Sequence, residues 1–281
     1  MTYNILIVGL KGQDAGKTTF ALALLAYLRE KGHNACAFKP RAGNNVWYDF
    51  DIVHDALSQG RLYGKDATRL KAASEFRAAD DPLSEECINP IHRLWMEPPR
   101  INSLSQIPGF IIDRVTLWTK DGARTLVVEN ETLPAMYKCS DTLIAQLRAN
   151  ASEIYHVRDL NTLNKLTEEY YDLAIELAYK KVVAQHDCVV IESYSDIALP
   201  CKGLNNLDAV IGVKPGRISA FDPRKYLAAV QIAAATYSQE ELPTARIIEL
   251  LKPLKEVHVA PCRSEKLAQG LQVLIPRLMP V

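Results

Sequence analysis

Hydrophobic and polar positions along the 281-residue chain fall into two regimes. Towards both ends, short unbroken apolar runs alternate with stretches of helical spacing. Residues 3–8, YNILIV, are mostly apolar and stop at Gly9, as a strand buried on both faces does. Residues 18–31, TTFALALLAYLREK, are rich in Ala and Leu and contain no glycine or proline. They predict a helix with Gly32 as its stop. Residues 34–40, NACAFKP, predict a second strand ended by proline. This strand, loop, helix, strand order is the opening unit of an α/β fold. Cys188–Glu192, CVVIE, and residues 209–213 read as further buried strands. Residues 223–238 and 241–251 read as helices, 257–260 as a last strand and Ser264–Leu278 as a last helix.

The middle is less regular. Residues 49–80 have helical spacing with a break near Tyr63-Gly64. Residues 81–109 contain Pro82, Pro90, Pro98, Pro99 and Pro108 and read mostly as loop. Residues 110–130 make the clearest hairpin, because two β-rich arms flank Lys120-Asp121-Gly122-Ala123 and Asp-Gly favours a tight turn. Helices are expected over 138–149 and 163–185. The expected fold is α/β: a single domain, 1–281, whose mostly parallel, doubly wound sheet carries helices on both faces. The hairpin is expected within an insertion over about 75–135, as a lid or a dimer arm.

Composition narrows the partners. Lys plus Arg is 33 and Asp plus Glu is 33. That balance argues against nucleic acid and anionic membranes. No apolar run approaches the ~18 residues of a membrane span. The N-terminal MTYNILIVG is too short and lacks the basic segment of a signal peptide, so a cytoplasmic location is expected. Cysteines 36, 87, 139, 188, 201 and 262 form no C-x-x-C pair, and reduced, mostly buried thiols are expected.

The candidate chemistry centres on Gly9–Thr19, GLKGQDAGKTT. A phosphate loop reads G-x-x-x-x-G-K-[ST], and here Lys11 stands where the first glycine belongs. The GKT half follows a strand and opens a helix, so free N–H groups and the positive end of the helix dipole face the loop. Gly12, Asp14, Ala15, Gly16, Lys17, Thr18 and Thr19 are the candidate nucleotide-binding residues. Lys17 would reach the β- and γ-phosphates, and the Thr18 hydroxyl would bind Mg²⁺. Lys11 either adds a second positive charge near the nucleotide or points to solvent. Asp14 either faces substrate and water or stabilises the loop. Glu192 stands at the C-terminal end of a strand, where open α/β sheets bind ligands.

Several further motifs, in order, resemble the dethiobiotin synthetases. These belong to the P-loop NTPase class that also holds the MinD/ParA-type ATPases and the cobyrinate amidases, and they also lack the first loop glycine at its standard place. Lys39-Pro40-Arg41-Ala42-Gly43 is similar to the family's KPVxSG. Gly64-Lys65-Asp66-Ala67-Thr68-Arg69-Leu70 is similar to its NxDAxxL. Ile88-Asn89-Pro90 with Glu97-Pro98-Pro99 is similar to its NPYxFxxP. Val189-Val190-Ile191-Glu192 is similar to its VVEGAGG without the glycines. The stretch KPRAGNNVWYDFD is also similar to archaeal predicted P-loop ATPases.

The resemblance implies a fold of the P-loop NTPase type, ATP with Mg²⁺, a small-molecule substrate and a homodimer. Nothing in the sequence separates ATP from GTP. It implies Mg²⁺ ligation by Thr18, Asp66 and Glu192, with Lys17 and Lys39 as catalytic lysines. Asp66 is alternatively a solvated helix residue. Ser193-Tyr194-Ser195-Asp196 replaces the family's glycines, so a different acceptor is expected. Asn44, Asn45, Trp47 and Tyr48 form a polar-aromatic cluster that either holds a substrate or packs as a loop. The expected activity is transfer or activation with the γ-phosphoryl group on a small anionic metabolite, by a kinase or a ligase. The alternative is a nucleotide-dependent dimerising switch of the MinD/ParA kind. Against it, that class's signature lysine falls at Gly12 here.

Overall fold

The computed structural model describes residues 2–12, 14–74, 83–96, 107–237, 241–261 and 264–279, without the side chains of Ser264, Glu265 and Ala268. Gln13, Pro82, Glu97, Pro98, Pro99, Cys262 and Arg263 therefore lie outside it. The chain opens with β1 (Tyr3–Gly9), α1 (Lys17–Glu30), β2 (Ala35–Phe38), β3 (Arg41–Asn45), α2 (Phe50–Ser58), α3 (Lys65–Ser74) and α4 (Glu85–Ile88). It continues through β4 (Ile91–Trp95), β5 (Ile112–Thr119), β6 (Gly122–Asn130), α5 (Asp141–Asn150), β7 (Glu153–Val157), α6 (Leu160–Leu166) and α7 (Asp172–Gln185). It closes with β8 (Cys188–Glu192), β9 (Ala209–Lys214), β10 (Arg217–Phe221), α8 (Pro223–Tyr237), α9 (Thr244–Ile248), β11 (Lys255–His258) and α10 (Ser264–Leu278). The fold is α/β with mixed sheets. Two compact units emerge: Met1–Pro40 with Arg69–Leu83 and Val182–Val281, and Arg41–Thr68 with Ser84–Lys181.

The first unit is built on a six-stranded sheet in the order β11-β10-β9-β1-β8-β2. Strands β2, β8, β1 and β9 are parallel, while β10 and β11 are antiparallel additions. The apolar run of β1 explains its central place: Ile5, Leu6, Ile7 and Val8 are all fully buried, so both faces are covered. Helix α1 packs on this sheet through Phe20, Leu24, Leu25 and Leu28, each at most 1% exposed. Each such side chain contributes roughly 1.5–3 kcal/mol by leaving water. The sheet is less uniformly parallel than the sequence suggests, because β9 turns straight back into β10. Pro215-Gly216 makes that turn, with Gly216 at φ 78.

The second unit holds a five-stranded sheet in the order β3-β4-β5-β6-β7. The expected hairpin is β5–β6, paired from Ile112↔Glu129 to Thr119↔Gly122. It occupies the interior of this sheet, with β4 antiparallel to β5 and β7 parallel to β6. The stretch expected as an insertion, 75–135, supplies β4, β5 and β6, and their unit extends to Arg41–Thr68 and Lys181. This unit has its own core of Val46, Val53, Leu57, Leu62, Leu94, Ile112, Val127, Ile144 and Leu147.

Buried charge also organises the second unit. The Arg114 side chain, 1% exposed, donates to the carbonyls of Leu62 (2.9 Å), Pro90 (2.8 Å) and Asn89 (2.6 Å) and to Thr116 Oγ1 (2.9 Å). Burial pushes its guanidinium down to about 10, against the pull of Glu86. Asp113 is fully buried and accepts two bonds from Arg93 (2.7 and 2.6 Å) and one from the Tyr171 hydroxyl (2.6 Å). Burial and then the Asp113 charge hold the Tyr171 phenol well above its ordinary range.

Among the described residues no helix is long and apolar enough to cross a membrane. Cys36, Cys87 and Cys188 are buried. Burial pushes the Cys188 thiol up to about 12 and that of Cys139 up to about 11, away from reactive thiolate.

Candidate functional site

Three chain segments of the first unit converge at the C-terminal ends of its parallel strands. Glu192 closes β8 and sits beside Ile7 of β1, and the Ser193 N–H donates to Ile7 O at 2.9 Å. Lys39 follows β2 directly, held between Phe38 and Pro40. Lys17 and Thr18 open α1. All three strands are parallel neighbours, so their exits lie side by side.

The convergence is tight. Glu192 Oε1 accepts from Thr18 Oγ1 at 2.8 Å and from Lys39 Nζ at 2.8 Å. Glu192 is 1% exposed and Lys39 is 7% exposed, so this is a buried ion pair. The other carboxylate oxygen, Oε2, is buried and meets no hydrogen-bond partner. A buried carboxylate with one occupied and one unoccupied oxygen is an unusual arrangement, because the unmet oxygen keeps its desolvation cost of roughly 1–3 kcal/mol or more.

The loop before α1 has the backbone its sequence requires. Gly16 takes φ 89 and serves as the N-cap of α1, with no side chain capping the helix and no acidic residue in its first turn. The first N–H groups of α1 are those that a helix cannot satisfy internally. Asp14, at φ 55 and exposed, takes a left-handed conformation that aspartate tolerates. Gly9 cannot carry a side chain: a Cβ there would lie 2.7 Å from Lys11 O, 3.0 Å from Lys17 Nζ and 3.1 Å from Ser195 O. Lys11 itself is exposed, Gly12 has open space around it, and Ala15 is buried. Thr19 is half-buried in the first turn of α1.

Lys17 is mostly buried, and its Nζ donates to the main-chain carbonyl of Ser195. Ser195 is at φ 45, a strained value for serine. Its neighbours fix it: Asp196 O accepts from Thr244 Oγ1 at 2.7 Å, Ala198 N–H donates to Leu242 O at 2.8 Å, and the buried Tyr226 hydroxyl donates to Ala198 O at 2.9 Å. The 193–198 segment is thus strapped from outside and holds one carbonyl against Lys17. No sequence signal marks that contact, because a main-chain acceptor has no residue identity.

Of the remaining motif residues, Gly43, Asp66, Asn89 and Pro90 belong to the second unit. Asp66 is half-buried in the first turn of α3. Thr18 and Glu192 meet in the first unit, and Asp66 is placed in the other. Among the described residues no group of three or more His, Cys, Asp or Glu is arranged to hold a metal. Gly43 is required by packing, since a Cβ would fall 2.0 Å from the Trp95 ring. Asn89 and Pro90 end α4 and receive Arg114. Packing therefore accounts for both of those motif positions.

No family model matches the chain, and no curated protein matches it.

Proposed function

We propose that the first unit is a domain of the P-loop NTPase type that binds a nucleoside triphosphate with Mg²⁺. It would use the γ-phosphoryl group on a small anionic metabolite, as a kinase or as a ligase resembling the dethiobiotin synthetases. The observation that carries this reading is the half-filled Glu192 carboxylate: Oε1 gathers Thr18 and Lys39, and Oε2 is buried without a partner beside an uncapped helix start.

The donor set suits a hard divalent cation, since a hydroxyl and a carboxylate oxygen lie together and retained waters would complete its shell. Thr18 and Glu192 would hold Mg²⁺, with Asp66 as the further acid the resemblance implies. When bound, the ion supplies charge neutralisation on the phosphate oxygens. The loop Gly12, Asp14, Ala15, Gly16 and the N–H groups of Lys17, Thr18 and Thr19 would cradle the phosphates. Lys17 would exchange its Ser195 carbonyl for phosphate oxygens, which offer a stronger, charge-assisted bond. Lys39 would stabilise charge on the transferring group. Its approach is already fixed by the strand end and by Pro40.

The test is hydrolysis of ATP and of GTP by the full chain with Mg²⁺, comparing wild type with Lys17→Ala. Loss of one such positioned charge lowers turnover by about 100-fold or more. Undiminished turnover in the variant, with either nucleotide, sinks the reading.

A further inference from the structure

We propose that a groove at the start of α2 binds a small organic cation, an alkylammonium or guanidinium compound. This does not depend on the nucleotide reading. The groove is open to solvent, measures about 510 Å³ and is lined by Trp47, Tyr48, Asp49, Phe50, Asp51 and Asp55 together with Ile52 and Lys65. That volume lies within the roughly 300–1,000 Å³ of small-ligand sites.

The lining is chemically one-sided. Trp47 is 70% exposed, Tyr48 87% and Phe50 48%, three large rings in four consecutive residues held in water. Each forgoes the gain of burial. Slack backbone does not explain the exposure. Asn45 and Val46 are buried, the Trp47 N–H donates to Asn45 Oδ1 at 2.8 Å, and the Asp49 N–H donates to Asn45 O at 3.0 Å. Asn45 Nδ2 in turn holds Met96 O at 2.7 Å. The turn is a fixed base from which the rings project.

Charge selects the occupant. Three carboxylates line the groove against one ammonium, that of Lys65. Asp49 is held by Asn44 Nδ2 at 2.6 Å and its side chain does not cap α2, whereas Asp51 and Asp55 are exposed, Asp55 with His54 Nδ1 at 4.0 Å. Aromatic faces attract a cation through their quadrupole, and a nearby carboxylate adds to that attraction. A neutral ligand would gain only from the rings, and an anion would be repelled.

Three probes that share a phenyl ring and differ in charge test this by calorimetric titration of the full chain: benzylammonium, benzyl alcohol and benzoate. Benzylammonium should bind saturably and about ten-fold more tightly than the alcohol, with benzoate weakest. The paired substitution Asp51→Asn with Asp55→Asn should erase the preference for the cation over the alcohol. Trp47→Ala should weaken both, with the melting temperature unchanged because the ring is exposed. Equal binding of all three probes, no saturable binding of benzylammonium, or a cation preference that survives the paired substitution would overturn the proposal. A lysine-containing tripeptide binding far more tightly than benzylammonium would also overturn it, in favour of a protein partner.

Discussion

Glu192 in the first unit and Arg114 in the second are both about 1% exposed, and their surroundings treat them in opposite ways. Arg114 spends its donors on three carbonyls and a hydroxyl, all within 2.9 Å. Glu192 fills one oxygen and leaves the other buried without a partner. A charge whose hydrogen-bonding capacity is used internally serves the fold. One whose capacity is left partly unused carries a standing cost, and such costs concentrate where a ligand completes the site. The difference teaches that burial alone does not mark function. The unfilled oxygen of Glu192 is what supports the role proposed for it.

The largest effect that would break this contrast is on stability. Arg114→Met keeps much of the volume but removes every donor. Leu62 O and Asn89 O then lose the guanidinium, while Pro90 O keeps the Thr116 N–H at 2.9 Å. Removing a buried charge-assisted network should cost about 3–5 kcal/mol, a large part of the roughly 5–15 kcal/mol that holds a domain. Urea unfolding followed by circular dichroism measures it. Arg114→Lys should not rescue, because an ammonium cannot span the same acceptors. A loss below about 1 kcal/mol would mean that Arg114 is not the keystone described.

Glu192→Gln sharpens the other side. The amide oxygen still accepts from Thr18 and Lys39, while an NH₂ group takes the place of the unpartnered carboxylate oxygen. The buried Lys39 ammonium loses its counter-charge, so stability should fall by about 1.5–3 kcal/mol, the worth of a hydrogen bond to a charged group, and by less than in Arg114→Met. Nucleotide turnover should fall by about 100-fold or more, since the acidic group proposed to hold Mg²⁺ is lost. Unfolding and turnover are read on the same preparation. A variant that unfolds like Arg114→Met, or that keeps full turnover, erases the distinction between the two residues.

The two regions also differ in how legibly the sequence describes them. Strands β1 and β8 are unbroken apolar runs, so pattern alone locates them, and Glu192 and Lys39 follow as residues at strand ends. Their meeting with Thr18 follows from parallel neighbours opening onto one edge. Strands β3 (RAGNN), β4 (IHRLW) and β7 (EIYHV) are short and of mixed polarity. Each exists because a distant segment pairs with it, and the prolines around β4 suggest a loop instead. Strand β10 had a local signal in Pro215-Gly216 between two apolar runs. The Ser195 carbonyl that meets Lys17 had none. Asp66 is marked only by motif order, and it stands in the first turn of α3.

The smallest expected effect concerns the acid pair that supports Arg114 from nearby. Arg61 donates to Glu86 Oε1 at 2.7 Å and Oε2 at 2.6 Å and to Glu85 Oε2 at 2.6 Å. Burial alone would raise the Glu86 carboxyl. The hydrogen bonds from Arg61 and the charges of Arg114 and Arg61 outweigh it and hold that carboxyl below its ordinary value. A carboxyl depressed in the folded state binds its proton more readily when unfolded. Its stabilisation is therefore present above the unfolded pKa of about 4.3 and is lost as pH falls through the folded value. Arg61 is 33% exposed, so solvent screening limits the effect to the order of 1 kcal/mol. Glu86→Gln should thus flatten the fall in unfolding free energy between about pH 6 and pH 3, and Glu192→Gln should leave the Glu86 contribution to that slope in place. If Glu86→Gln leaves the acid limb as steep as in wild type, the carboxylate is not coupled to folding and Arg114 stands on its main-chain acceptors alone.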